Sequence, residues 1–163
     1  MRFALLEASK HRMWKGCVMI DIENGNIQFM NKSLIIRRWL SKDEFLYSDL
    51  FADVIKQDDY NYTRFYLKPQ LMDNKKFFVA LLFNPEGRLS IVSLSLSTDD
   101  IIPSWENWSE ERELNNKSLN DKWLRKSIGK PPYNYSWGTI DSSYDPRSAS
   151  SSIVIAYRNS SLG

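Results

Sequence analysis

The sequence predicts an α+β fold, a mostly antiparallel β-sheet of about six to eight strands with one long and one short helix packed on it. Three observations carry this expectation. Strand-like segments follow one another through short turns with only two helical insertions, which disfavours alternating βαβ units. Two turn signals, Asn24-Gly25 and Asn84-Pro85-Glu86-Gly87, each mark a hairpin. One stretch, residues 106–128, has helix start and stop signals at its two ends.

In chain order, residues 1–16 show no clean period and are expected to be extended or poorly ordered. Beyond them Val18, Ile20 and Ile22 alternate with Cys17, Met19 and Asp21, the period of two of a strand. Asn24-Gly25 then favours a type I′ turn, which needs positive φ at both central residues, and Ile27-Gln28-Phe29-Met30 is the return strand. Leu34-Ile35-Ile36 supplies a short third strand. Ser41-Lys42-Asp43-Glu44 has the spacing of a capping box, with Ser at N-cap and Glu at N3. Phe45, Leu46, Leu50, Val54 and Ile55 recur at helical spacing. The pattern predicts a helix over 42–55, interrupted near Ser48-Asp49, and then a loop at Asp58, Asp59 and Asn61.

Tyr62 to Lys68 alternates as a one-sided strand, whereas Phe77 to Phe83 is continuously apolar and predicts a central strand buried on both faces. After the Asn84–Gly87 turn, Leu89 to Leu96 returns with a phase slip, and a β-bulge near Ile91-Val92 would restore one apolar face. For the helix at 106–128, Ser104 or Ser109 can cap the start, Gly129 can take the position past the end, and Pro131-Pro132 forbids continuation. Its glutamates lie early and its basic residues late, matching the helix dipole, and Trp108, Arg112, Leu119 and Trp123 fall near one stripe. Tyr135 to Asp141 and Ile153 to Tyr157 read as two strands around the turn Asp145-Pro146-Arg147-Ser148.

A chain of 163 residues with 42% apolar and 26% charged residues suits one domain, residues 1–163, of ordinary globular composition. Aromatic residues reach 13%, with six Trp, an excess that belongs in a core or an interface. Cys17 is the only cysteine, so an intrachain disulfide is impossible and a reducing compartment is favoured. Phe3-Ala4-Leu5-Leu6 is shorter than the ~7–15 apolar residues of a secretory segment, and no stretch approaches the ~20 of a membrane span. The expectation is a cytoplasmic protein with no membrane partner. The net charge of +2 hides blocks of alternating sign: residues 41–60 and 99–113 are acidic, residues 1–40 and 115–130 basic.

Few residue sets carry chemistry. Zinc needs about three or four ligands, and His11 and Cys17 are the only His and Cys available, so no metal and no cofactor is expected. The same pair is a poor nucleophile and base, better read as a surface histidine and a small buried cysteine. Ser148-Ala149-Ser150-Ser151-Ser152 lacks the glycines of a phosphate cradle. With 20 acidic residues some carboxylate pair is always close, so a small histidine-independent hydrolase remains one alternative and no catalytic residue is assigned. A nucleic-acid-binding module is the other, because residues 11–39 interleave His11, Arg12, Lys15, Lys32, Arg37 and Arg38 with Trp14 and Trp39. The flanking acidic blocks oppose a polyanion. Tyr133, Tyr135, Trp137, Tyr144 and Tyr157 form either a groove or, more commonly, cross-strand core pairs.

Trp105 to Tyr157, which contains the segment PPYNYSWGTIDSSYDPRSASSSIVIAY, together with FFVALLFNPEGRLSIVSLSL, resembles small uncharacterised proteins of Gram-negative bacteria associated with contact-dependent or polymorphic toxin immunity. No catalytic motif comes with that group. The resemblance implies an immunity-type protein that binds and neutralises a cognate toxin domain. A nucleic-acid-directed toxin such as a nuclease would present a basic cleft, so the expected partner-binding residues are acidic. They are Asp43, Glu44, Asp49, Asp53, Asp58 and Asp59 in one block, and Asp99, Asp100, Glu106, Glu110, Glu111 and Glu113 in the other. The plainer reading of each is a solvated helix face or a favourable charge at a helix start.

Overall fold

Alternating burial along long strands decides the architecture. The structure, a computed structural model, describes residues 20–96, 106 and 108–158; the expectations for residues 1–19 (His11 and Cys17 among them), Asp99, Asp100 and Ser104 lie outside these. The elements in chain order are β1 (Ile27–Gln28), β2 (Ile35–Ile36), α1 (Lys42–Leu46), a 3-10 turn (Asp49–Asp53), β3 (Val54–Asp59) and β4 (Thr63–Met72). They continue with β5 (Lys75–Phe83), β6 (Leu89–Leu96), α2 (Glu110–Ile128), β7 (Tyr133–Tyr135), β8 (Gly138–Asp145) and β9 (Ser150–Tyr157). Seven strands make one sheet in the order β3-β4-β5-β6-β9-β8-β7, every neighbouring pair antiparallel, while β1 and β2 pair separately. The fold is α+β and mostly sheet, with one long helix and one short.

Phe65, Phe77, Leu81, Phe83, Val92, Leu94, Ile153 and Ile155 alternate onto one face of the sheet and are buried there. Both helices cover this face. Phe45 of α1 packs on Phe65 and Phe83 with ring centroids 4.8 and 5.6 Å away, and Trp123 of α2 sits edge-on to Phe77 at 4.9 Å. Each such side chain stabilises the fold by roughly 1.5–3 kcal/mol through burial. Expected two-sided burial of β5 is corrected here: Phe78, Ala80 and Leu82 are only half-buried, because both helices lie on the opposite face.

Local chemistry accounts for the other departures. Ile20 bridges Ile27 as a hairpin requires, but among the non-glycine and glycine residues of that turn only Gly25 has positive φ, so it is not type I′. The Asp21 and Asn24 side chains accept from the Glu23 and Asn26 amides, and these local bonds favour a longer loop. The return strand is correspondingly short, ending at Gln28. The predicted 42–55 helix stops after Leu46. Asp49 accepts from the Ser33 and Leu34 amides, Asp53 binds Lys32 and Gln70, and β-branched Val54-Ile55 opens strand β3 instead. Asp58 and Asp59 therefore lie on a strand, not in a loop. In β6 the bulge residue is Ser90, since Leu82 faces Ile91 and Phe83 faces Leu89. This is one position from the expectation.

Helix α2 begins at Glu110 and not at 106, with Ser109 Oγ accepting from the Arg112 amide at 3.1 Å. Trp108 lies ahead of that cap, its indole N–H donating to Ala149 O, so it leaves the predicted stripe. The face that is buried carries Asn120, Trp123 and Leu124, with Leu119 half-buried, and Gly129 (φ 94) ends the helix. Tyr135 to Asp141 is not one strand but a hairpin, Tyr135 facing Gly138 across Ser136-Trp137. Its aromatics are core. Trp137 donates to Ile22 O, Tyr157 OH to Gly25 O and Tyr133 OH to Gly129 O, so each buried ring keeps a bonded polar tip.

Candidate functional site

The fold sorts the ten acidic candidates among the described residues into groups with different duties, Asp99 and Asp100 lying outside them. Asp49 and Asp53 are held by the internal bonds described above. Hydrogen bonds from Ser33 pull Asp49 below the ordinary carboxylate range, and Lys32 followed by Gln70 does the same for Asp53. Glu113 accepts from the Ser151 amide at 3.0 Å and ties α2 to β9. Glu44 closes on Arg37 and caps α1 beside Ser41, and the Arg37 hydrogen bond lowers its pKa. These four hold the chain together. Asp43, Asp58, Asp59, Glu106, Glu110 and Glu111 are exposed.

The two blocks do not converge. Asp59 lies at the sheet edge, level through Thr63, Phe83 and Leu89 with one end of the strands, while Glu113 meets Ser151 near the other end of β9. Four strand spacings of ~4.8 Å across and about seven residues of ~3.4 Å along put the blocks roughly 30 Å apart. A single interface of ordinary size need not touch both.

Aromatic exposure singles out the first block, a signal the acidic count alone missed. Asp58 and Asp59 end the edge strand β3, and the turn after them presents Tyr60, 95% exposed, and Tyr62, 46% exposed. Ile55 on the same strand is 63% exposed, and Tyr47 beyond α1 is 92% exposed. Large side chains projecting fully into solvent beside carboxylates are the composition of a protein-binding hot spot, where rigid Tyr anchors supply area and charge supplies orientation. The hairpin that carries them is firm: β3 pairs with β4 over Val54–Asp59, and Gln57 donates to Asp59 at 2.9 Å.

A concavity with several polar side chains lies elsewhere, between α2 and the β7–β8 hairpin. It encloses about 540 Å³ and is lined by Lys117, Asp121, Arg125, Tyr133 and Ser142 among others. Lys117 Nζ donates to Asp121 at 2.9 Å. The Ser142 hydroxyl is buried close to the Asp121 carboxylate but short of hydrogen-bond geometry, and it has no other partner. Burial opposes ionisation of Asp121, yet Ser142, Lys117 and Arg125 together outweigh it and leave the pKa below normal. A carboxylate so stabilised is a weak base, poorly matched to activating the Ser142 hydroxyl near neutral pH.

The basic, aromatic stretch is largely spent on the fold over its described part. Lys32 pairs with Asp53, Arg37 with Glu44, and Arg38 lies over the Trp39 ring at 4.2 Å while donating to Arg158 O. Among the described residues no three His, Cys, Asp or Glu side chains are placed to hold a metal ion, and no helix is long and apolar enough to cross a membrane. The class defined by fold and surface is thus an α+β protein with a one-sided antiparallel sheet and an acidic, tyrosine-rich edge. No family model, no curated protein and no solved structure matches the chain.

Proposed function

We propose that this is an immunity-type protein that acts in the cytoplasm by binding and neutralising a cognate bacterial toxin domain. The observation that carries the reading is the edge formed by Asp58, Asp59, Tyr60 and Tyr62, with Ile55 further back on the same strand. The edge is acidic, aromatic and exposed, suited to meet a basic cleft such as that of a nuclease.

The test is to look for a large secreted protein encoded beside this chain and to co-express its carboxy-terminal domain with it; absence of such a neighbour would count against the reading. The wild-type protein should rescue growth and co-purify with that domain as a stoichiometric complex. Asp58→Lys/Asp59→Lys should fail to rescue while keeping its circular dichroism. Failure of the wild-type protein to bind or protect would discard the reading.

A further inference from the structure

The second face of the sheet has no described element on it, and its composition is not that of a plain solvated surface. Strand parity and register place three rows of side chains there. One row runs Asp58, Arg64, Leu82, Ile91, Ala156, Thr139 from the β3 edge to β8, and the next runs Lys56, Tyr66, Ala80, Ser93, Val154, Asp141. A third begins with Lys68 on β4 and Phe78 on β5 and continues through Ser95 and Ser152. The central positions are apolar or small and half-buried, basic residues lie on the β3–β4 side, and Asp141 and Asp145 lie on the β8 side.

We propose that this open face is a homodimer interface, on which a second copy of the chain packs face to face about a two-fold axis running along β6. Strand β6 is the middle of the seven, so the axis exchanges β5 with β9 and β4 with β8. Under that exchange size meets complementary size. Leu82 faces Ala156 of the second copy, Ala80 faces Val154, and Phe78 faces Ser152, large against small in every row. Charge is complementary by the same operation: Tyr66 faces Asp141 of the second copy, with Arg64 and Lys68 flanking it from the rows on either side. A surface mainly basic at the β3–β4 margin, where Asp58 is the exception, acidic at the β8 margin and apolar in the middle is self-complementary about such an axis, the isologous arrangement of most dimers. Two sheets packed this way form an aligned sandwich ~10 Å apart.

Size permits it. Five strands, β4 to β8 through the sheet, span about 24 Å, and eight residues span about 27 Å, a footprint on the order of 650 Å² per copy against the ~800 Å² of a standard interface. The proposal is separable from the toxin-binding reading, since the footprint runs from β4 to β8 and leaves out strand β3, which carries Asp58 and Asp59, and the turn after it.

Sedimentation equilibrium of the full chain tests the assignment. The wild-type protein should show the mass of two chains, and Val154→Lys, which puts a charge at the apolar middle in both copies, should show the mass of one. Circular dichroism should be unchanged, because the side chain lies off the helix-covered core. Should Val154→Lys misfold, the charge swap decides. Arg64→Glu/Lys68→Glu should weaken dimerisation at least tenfold, and adding Asp141→Lys should recover most of the loss. A single-chain mass for the wild type at about 100 µM, far above the dissociation constants usual for interfaces of this size, overturns the proposal. A dimer indifferent to both sets of substitutions overturns it equally.

Discussion

Gly138 shows how tightly single positions are set. A Cβ built there would lie 2.1 Å from the Ala156 carbonyl oxygen, a backbone atom of the neighbouring strand β9 that cannot step aside. Gly138→Ala should therefore cost several times the ~1 kcal/mol of an average substitution and be read as a large drop in the urea midpoint, whereas Ser136→Ala, exposed in the same turn, should stay within ~0.5 kcal/mol. Gly25 is constrained twice, by φ of 78° and by a Cβ position 2.5 Å from the Trp137 ring. Trp123 is the corresponding case in α2. It is 3% exposed, stacks edge-on against Phe77 and donates to Asp73 at 3.3 Å. Trp123→Ala should destabilise by roughly 3–5 kcal/mol in thermal or urea unfolding, the range for emptying a large aromatic site. A change under ~0.5 kcal/mol would mean the helix does not pack there.

Elements held by carboxylates should respond to acid in a defined direction. Asp49 pins the β1–β2 loop through the Ser33 and Leu34 amides, and Asp53 pins it through Lys32. Both have folded pKa values below the ordinary 3.8. The stabilisation is thus fully present above the unfolded value and is lost as pH falls through the folded one. Lowering the pH from about 5 to about 2.5 should reduce the urea midpoint, and Asp49→Asn/Asp53→Asn should show a smaller reduction from a lower start. A wild-type slope equal to that of the double variant would remove these carboxylates as its source. These same residues mark where the sequence stopped being legible. The capping box at Ser41, the helix cap at Ser109, the bulge near Ile91 and the strands β4 to β6 follow from spacing alone, because their causes are local. The end of the helix at Leu46 does not, because Val54 and Ile55 fit a helical stripe equally well and were drawn into β3 by pairing with β4. Likewise the one-sided burial of β5 depends on where two distant helices dock, which no window of sequence contains. For the site, the acidic residues were visible, but their division into structural and exposed ones required partners 7 to 38 residues away, from Arg37 and Glu44 to Glu113 and Ser151.

At the scale of the whole molecule the roughly 30 Å between the acidic blocks turns one expectation into a choice between two surfaces. The block on α2 has an ordinary explanation. Glu110 and Glu111 sit in the first turn of a 19-residue helix, where negative charge is favourable without any partner. Asp58 and Asp59 have no helix start to serve; they lie on an edge strand beside Tyr60 and Tyr62, which gain little from exposure unless something covers them. Charge at an interface margin acts chiefly on the rate of encounter, and salt screens it over ~8–10 Å. Asp58→Lys/Asp59→Lys should accordingly slow association with the cognate toxin domain about tenfold or more and flatten its dependence on salt. Tyr60→Ala should leave the association rate nearly unchanged and speed dissociation, since a packed anchor is lost after the encounter and not before it. Glu110→Lys/Glu111→Lys is the control, expected to bind at the wild-type rate across the same salt series. Stopped-flow measurements on the three variants separate the surfaces. If the α2 pair slows association and the β3 pair does not, the toxin-facing side of the molecule is the helix end, and the exposed tyrosines of the hairpin need another partner.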